Sequence, residues 1–183
     1  SGAPGHQYYQ NTADYEMDIT LDDENTRLYG EETITYHNDA PDELTYLWVQ
    51  LDQNMRAPTS ETYRVSTGSM KPVMSYREVQ RMLNDFDGGF KIDGVTKGGK
   101  DLNYTVNHTM MRVDLDEPLK PGASFSFDIK WHYNINDRAK IGGRSGFEYF
   151  PEEDNYLYTI AQFFPRMAVY NDKEGWQNKQ FLG

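Results

Sequence analysis

Ser124–Ile135, reading SFSFDIKWHYNI, is the stretch that decides the fold. Phe125, Phe127, Ile129, Trp131, Tyr133 and Ile135 alternate with Ser124, Ser126, Asp128, Lys130, His132 and Asn134. A period of two puts the first set on one face of a β-strand and the second set on the other. One face is therefore core and the other faces water, which is the pattern of an antiparallel sheet with a single buried side. Pro121-Gly122, just before it, supplies the turn that feeds the strand.

Working outward, the same period recurs. Tyr15, Met17, Ile19 and Leu21 alternate with Glu16, Asp18 and Thr20, and Asp22–Thr26 then turns the chain back into Leu28–His37. Leu44–Leu51 makes a third strand with Leu47, Val49 and Leu51 on one face, so a meander is expected. Residues 52–74 hold few apolar side chains and read as a long surface excursion. Ser75 and Glu78 form a capping box, and Val79, Met82, Leu83 and Phe86 lie on one helical stripe, predicting a short helix over about 76–85 that Gly88 and Gly89 end. Phe90–Val95, Leu102–Val106 and Met110–Leu115 return to strand pattern around a Lys97-Gly98-Gly99-Lys100 hairpin turn, and Gly-rich 136–147 reads as a flexible connector. The predicted fold is all-β, a twisted, saddle-like or sandwich arrangement of mostly antiparallel strands with one short helix. Residues 1–14 are a polar lead-in and 15–183 a single β-domain.

Composition agrees. In 183 residues there are 14 Tyr, 9 Phe and 3 Trp, aromatics that favour strands. Lys plus Arg number 18 against 29 Asp plus Glu, a net charge of −11 that repels phosphate backbones and anionic lipid headgroups, so nucleic acid is not an expected partner. No run of about 18 apolar residues is present to cross a bilayer as a helix, so no membrane insertion is expected. With no Cys, the chain has neither a disulfide framework nor a thiolate metal site. Ser1–Gly5 lacks the basic and apolar regions of a secretion signal.

Catalytic motifs are missing from these residues. His6, His37, His108 and His132 are scattered, and none belongs to the H-E-x-x-H spacing that sets two zinc ligands on one helical face. His132 falls on the solvated side of its strand, and Glu31 and Glu32 near His37 read as edge charges that discourage aggregation. Gly143-Arg144-Ser145-Gly146 lacks the G-x-S-x-G spacing of a nucleophile elbow. No catalytic residue and no metal ligand is assigned, and no cofactor is expected in this chain.

The closing stretch is different. Gln162, Phe163, Phe164, Pro165, Arg166 and Met167 form one dense run, followed by Tyr170 and Trp176. Its apolar side chains fall on more than one side of any regular strand, so a single sheet face cannot hide them and a second packing surface is implied. Phe163, Arg166, Met167, Tyr170 and Trp176 are therefore candidates for an interface between domains.

The segment IAQFFPRMAVYNDKEGWQNKQFLG, with LWVQLDQN from Leu47 and FDGGFKI from Phe86, resembles the N-terminal β-domain of zinc aminopeptidases of the aminopeptidase N family, in a bacterial branch. The resemblance runs from about Tyr9 to Gly183. It implies a saddle-like β-domain that precedes a thermolysin-like catalytic domain, with zinc held there and not here, and a chain that ends before the catalytic motifs. It implies that Gln162 reaches the pocket for the first residue of a peptide substrate. Where some members carry a Glu that binds the free amine, this chain has Phe164, which implies an apolar wall. By the same resemblance the parent is a metallopeptidase whose partners are its own catalytic domain and a peptide, placed in the bacterial cell envelope or periplasm. The other function class open to these residues is a self-sufficient β-sandwich module that binds glycans or protein through its aromatics.

Overall fold

The computed structural model describes residues 5–65, 72–76, 78–79 and 85–183. In chain order the strands are β1 (Thr12–Asp22), β2 (Arg27–His37), β3 (Leu44–Gln50), β4 (Lys91–Lys97), β5 (Lys100–Asp101), β6 (Tyr104–Asn107) and β7 (Met110–Leu119). They continue as β8 (Ser124–Asn134), β9 (Gly146–Phe150), β10 (Asn155–Thr159), β11 (Arg166–Met167), β12 (Tyr170–Asn171) and β13 (Gly175–Trp176). The larger sheet runs β1-β2-β8-β4-β5 and the second β11-β3-β7-β6, with β9–β10 and β12–β13 as small hairpins. These strand pairings are antiparallel, and among the described residues neither large sheet closes into a barrel. The fold is all-β.

The opening stretch is the axis of the larger sheet. Along β8, Phe125, Phe127, Ile129, Trp131 and Tyr133 are buried while Ser124, Ser126 and Lys130 are exposed. Opposite it, β2 turns Leu28, Ile34 and Tyr36 to the same side. Gly30 sits directly across from Trp131, where any Cβ would collide with the indole, so the bare backbone makes room for the ring. The second sheet contributes Leu47, Val49, Met111 and Val113 to the same hydrophobic cluster. Two sheets thus share one core face to face, as in a sandwich.

Five expectations are corrected. β3 joins the second sheet instead of pairing with β2, so β1, β2 and β3 do not form a meander. Glu32, read as an edge charge, is buried on β2, an inner strand of the larger sheet. On β1 the apolar row is formed, but beyond Tyr15 it is not covered: Met17, Ile19 and Leu21 are 37, 40 and 43% exposed, because β1 is the edge of the larger sheet. Residues 52–74 are not a surface excursion throughout. A 3-10 turn at Asp52–Arg56 carries Asp52, Gln53 and Asn54 into the interior, and a short helix α1 (Glu61–Val65) follows Ser60, also buried. Gln53 and Asn54 can sit there because they meet backbone groups of other segments: Asn54 donates to the His108 carbonyl at 2.6 Å and accepts from the Phe90 amide at 2.7 Å. The 136–147 connector is pinned, with Ile141 N–H on the Asp137 carbonyl (2.9 Å), Asn136 Nδ2 on the Gly142 carbonyl (3.2 Å) and a parallel bridge between Asp137 and Phe147.

The capping box is formed. Ser75 N–H and Oγ both donate to Glu78 Oε2, at 2.8 and 2.9 Å, and the Glu78 N–H returns to Ser75 Oγ at 3.3 Å. Of the helix expected over 76–85, residues 77 and 80–84 lie outside the described residues.

Candidate functional site

The closing run is threaded between elements of both sheets. β11 joins the second sheet beside β3, with Arg166 opposite Gln50 and Met167 opposite Val49. Arg166 turns back to Asp52, which is 2% exposed, and donates to Oδ2 from Nε at 3.1 Å and from Nη2 at 2.9 Å. A buried carboxylate demands a partner of opposite charge, so the run is anchored at the point where the 3-10 turn begins.

Four residues earlier, Gln162 holds a left-handed backbone, φ 51°. A residue with a Cβ occupies that region at a cost, and such strain persists only where the surroundings over-determine it. Gln53 does this: its Nε2 donates to the carbonyls of both Ala161 (2.9 Å) and Gln162 (3.2 Å), while Arg56 Nη1 fixes its Oε1 at 3.0 Å. The Ala161 N–H donates to Ser145 Oγ at 3.2 Å, and Arg144 Nη2 donates to the side-chain Oε1 of Gln162 at 3.3 Å. The Gly-Arg-Ser-Gly loop is thus wired to Gln162. Gln53, Arg56, Arg144 and Ser145 carried no motif in the sequence; Gln53 stands within LWVQLDQN, the only signal that pointed near it.

The remaining predicted residues divide by where they face. Phe163 and Phe164 stack edge-on at 5.0 Å, and Phe164 meets the Tyr15 ring edge-on at 5.4 Å; both Phe side chains pack against the domain's own core. Met167 is buried, and its N–H donates to the Tyr15 hydroxyl at 2.9 Å. Tyr170 and Trp176 meet at 5.3 Å across the β12–β13 hairpin, and Trp176 tilts against Tyr36 at 5.7 Å. The second packing surface that the run requires is supplied in large part from within the domain, by Tyr15, Tyr36 and the sheet ends. Arg166 keeps part of its side chain in solvent, and Val169 between them is exposed.

On the outer face of the larger sheet, His37 Nδ1 lies 2.7 Å from Ser124 Oγ and Nε2 2.9 Å from Asp14 Oδ2. The three belong to neighbouring strands and form a cross-strand polar row; the Asp14 side chain is 80% exposed, so it lacks the buried setting that orients a catalytic imidazole. His132 pairs with Asp93 at 2.8 Å in the same way. Among the described residues no group of three or more His, Asp or Glu is placed to hold a metal ion.

No protein-family model matches this chain, and no curated protein matches it in sequence. Solved structures do. A point mutant of an M1 zinc metallopeptidase from Deinococcus radiodurans aligns over 76% of this chain and 24% of its own length at 13% identity, TM-score 0.45. A two-domain M1 zinc metallopeptidase mutant bound to L-tryptophan aligns over 94% of this chain and 29% of its own at 12% identity, TM-score 0.44. An inactive GH20 exo-β-N-acetylglucosaminidase mutant from Vibrio harveyi aligns over 86% of this chain and 17% of its own at 9% identity, TM-score 0.33. The chain thus spans less than a third of the length of the solved structures it resembles.

Proposed function

We propose that this chain is the N-terminal β-domain of a zinc aminopeptidase-like protein, docking on a catalytic domain and helping to wall the pocket that receives a substrate's first residue. The observation that carries the reading is the strained, cross-braced Gln162. A left-handed Gln fixed by Gln53 on one side and tethered by Arg144 on the other holds its side chain at a set place on the domain's edge. Its Oε1 accepts one hydrogen bond, from Arg144, and the ammonium group of a peptide would take that oxygen by displacing the Arg144 cation. A neutral amide on a rigid edge can hold that group at a set distance from a reacting centre in another domain. Phe164, backed by Tyr15, gives the adjoining wall its apolar character.

Docking is proposed through the solvent side of the closing run, where Arg166, Tyr170 and Trp176 remain partly exposed, with Phe163 and Met167 supporting them from beneath. The open row of Met17, Ile19 and Leu21 offers a second apolar patch for the same partner. Zinc, and the general base that acts with zinc-activated water, would belong to the catalytic domain. No step of the reaction is assigned to this chain beyond holding the substrate end. The test is to read the coding sequence beyond Gly183 and assay the whole product: an H-E-x-x-H helix and zinc-dependent release of N-terminal residues are expected. A complete product without that helix would overturn the proposal.

A second reading, a glycan- or protein-binding module, is favoured by one feature, the β9–β10 hairpin. It leaves Tyr149, Phe150, Tyr156 and Leu157 exposed, with the Tyr149 and Tyr156 rings 4.8 Å apart. Saturable binding of this chain alone on a glycan array, abolished by Tyr156→Ala, is the result this reading requires.

A further inference from the structure

At the edge of the larger sheet, residues before β1 and the β11–β12 segment together line a half-open cavity of about 430 Å³. Five tyrosines line it: Tyr8, Tyr9, Tyr15, Tyr36 and Tyr170. The charged side chain in its lining is Asp172, and among the described residues no Lys, Arg or His lines it. Asp42 stands behind Tyr170, accepting its hydroxyl hydrogen at 3.0 Å. The nearby guanidinium of Arg166 is already held by Asp52.

From this arrangement we propose that the cavity binds a small organic cation, an alkylammonium group of the quaternary or lysine type. The faces of tyrosine rings carry negative quadrupole density, and rings gathered around one space attract a cation, most strongly a quaternary one that water solvates weakly and less strongly a hydrated primary ammonium. Volume decides against a bare metal ion, since the space suits a group several carbons across. Charge decides against anions, because the lining carries one carboxylate and no cation to offset it. Burial, followed by the charges of Asp172 and Asp42, raises Tyr9 above the ordinary phenol value; burial first and then the Asp42 hydrogen bond push Tyr170 up to about 12, and burial pushes Tyr36 up to about 12. The phenols therefore stay neutral, and burial would cost a cation too, so its attraction rests on the rings, Asp172 and Asp42.

Several features suggest that the rings are held in place before a ligand arrives. Asn11 Nδ2 donates to the Tyr36 hydroxyl at 2.8 Å, the Met167 N–H donates to the Tyr15 hydroxyl, and Trp176 braces both Tyr36 and Tyr170 from behind. The Tyr9 hydroxyl is buried and has no hydrogen-bond partner among the described residues. This inference concerns the isolated domain and needs no catalytic partner, so its failure and that of the aminopeptidase reading are separable.

The probe is choline, compared with 3,3-dimethylbutan-1-ol, its neutral isostere, by saturation-transfer NMR on the 183-residue chain at constant ionic strength. Saturable transfer to the choline methyl groups is expected, with the neutral isostere about tenfold weaker or more. Nα-acetyl-lysine N-methylamide, whose side-chain ammonium stays charged, and free trimethylammonium form two further arms, separating a side chain presented by a protein from a free small molecule; binding of either supports the cation site and says which source fits. Asp172→Asn and Tyr8→Leu, both at solvent-facing positions that leave the core intact, should each weaken choline severalfold. Equal binding of the neutral isostere would make the cavity an apolar slot, and unchanged choline affinity in both variants, or no saturable transfer, would place no cation there; each result overturns the inference.

Discussion

Glu32 is the most conspicuous polar side chain in the core, and replacing it with Gln makes a quantitative test of how the two sheets are packed. It is 3% exposed, lies in register between Met17 and Ile129, and neither carboxylate oxygen has a hydrogen-bond partner among the described residues. Burial pushes its pKa from the usual 4.5 up to about 8. The folded protein therefore keeps this proton up to about pH 8, while the unfolded chain releases it near pH 4.5. Between those values each pH unit favours the unfolded state by about 1.4 kcal/mol, so the group's contribution is intact below pH 4.5 and is lost by about pH 8. The full penalty is on the order of 3–5 kcal/mol once local relaxation is allowed for. Glu32→Gln keeps the shape and removes the charge. Urea unfolding at a series of pH values should show variant and parent nearly equal at pH 5, with the variant more stable by several kcal/mol at pH 8.5. A difference between them that does not change with pH would refute the buried, unpaired placement of Glu32.

Other expectations follow from particular contacts. Trp131→Ala removes a fully buried ring from the centre of β8 and should cost about 3–5 kcal/mol in chemical denaturation; a loss well under 1 kcal/mol would mean that the strand's faces are inverted. Gly30→Ala places a methyl against that same indole and should destabilise by about 1–3 kcal/mol, with Trp131→Phe restoring much of it; an unaffected Gly30→Ala melting curve would contradict the close approach of β2 and β8. Gln53→Ala frees the carbonyls of Ala161 and Gln162 and should cost about 1–3 kcal/mol, with faster amide hydrogen exchange confined to residues 160–164; exchange unchanged there would remove Gln53 as the brace.

What could be read from the sequence was what period and turn chemistry control. The alternation in Ser124–Asn134 gave the burial of β8 residue by residue, and Ser75 with Glu78 marked a capping box that the side chains form. Period alone did not tell whether a strand's apolar face has anything above it, so the open row of Met17, Ile19 and Leu21 on edge strand β1 was not foreseen. Asp52, Gln53 and Asn54 read as surface because their chemistry is polar; inside the fold Asp52 is met by the Arg166 guanidinium, and Gln53 and Asn54 by backbone groups of distant segments at Ala161, His108 and Phe90. Such pairings span dozens of residues and leave no local pattern. The candidate site shows the same division: Gln162 was singled out by the resemblance of its segment, whereas Arg144 and Ser145, whose loop read as a connector, reach it only through the fold.

The central claim is that Gln162 faces a substrate from the edge of this domain, and its most direct test is steady-state kinetics of Gln162→Ala in the whole protein. Turnover of aminoacyl substrates should fall while zinc content, melting temperature and the fold of this domain stay as they were. Unchanged kinetics with an intact fold would take Gln162 out of the pocket and contradict the account.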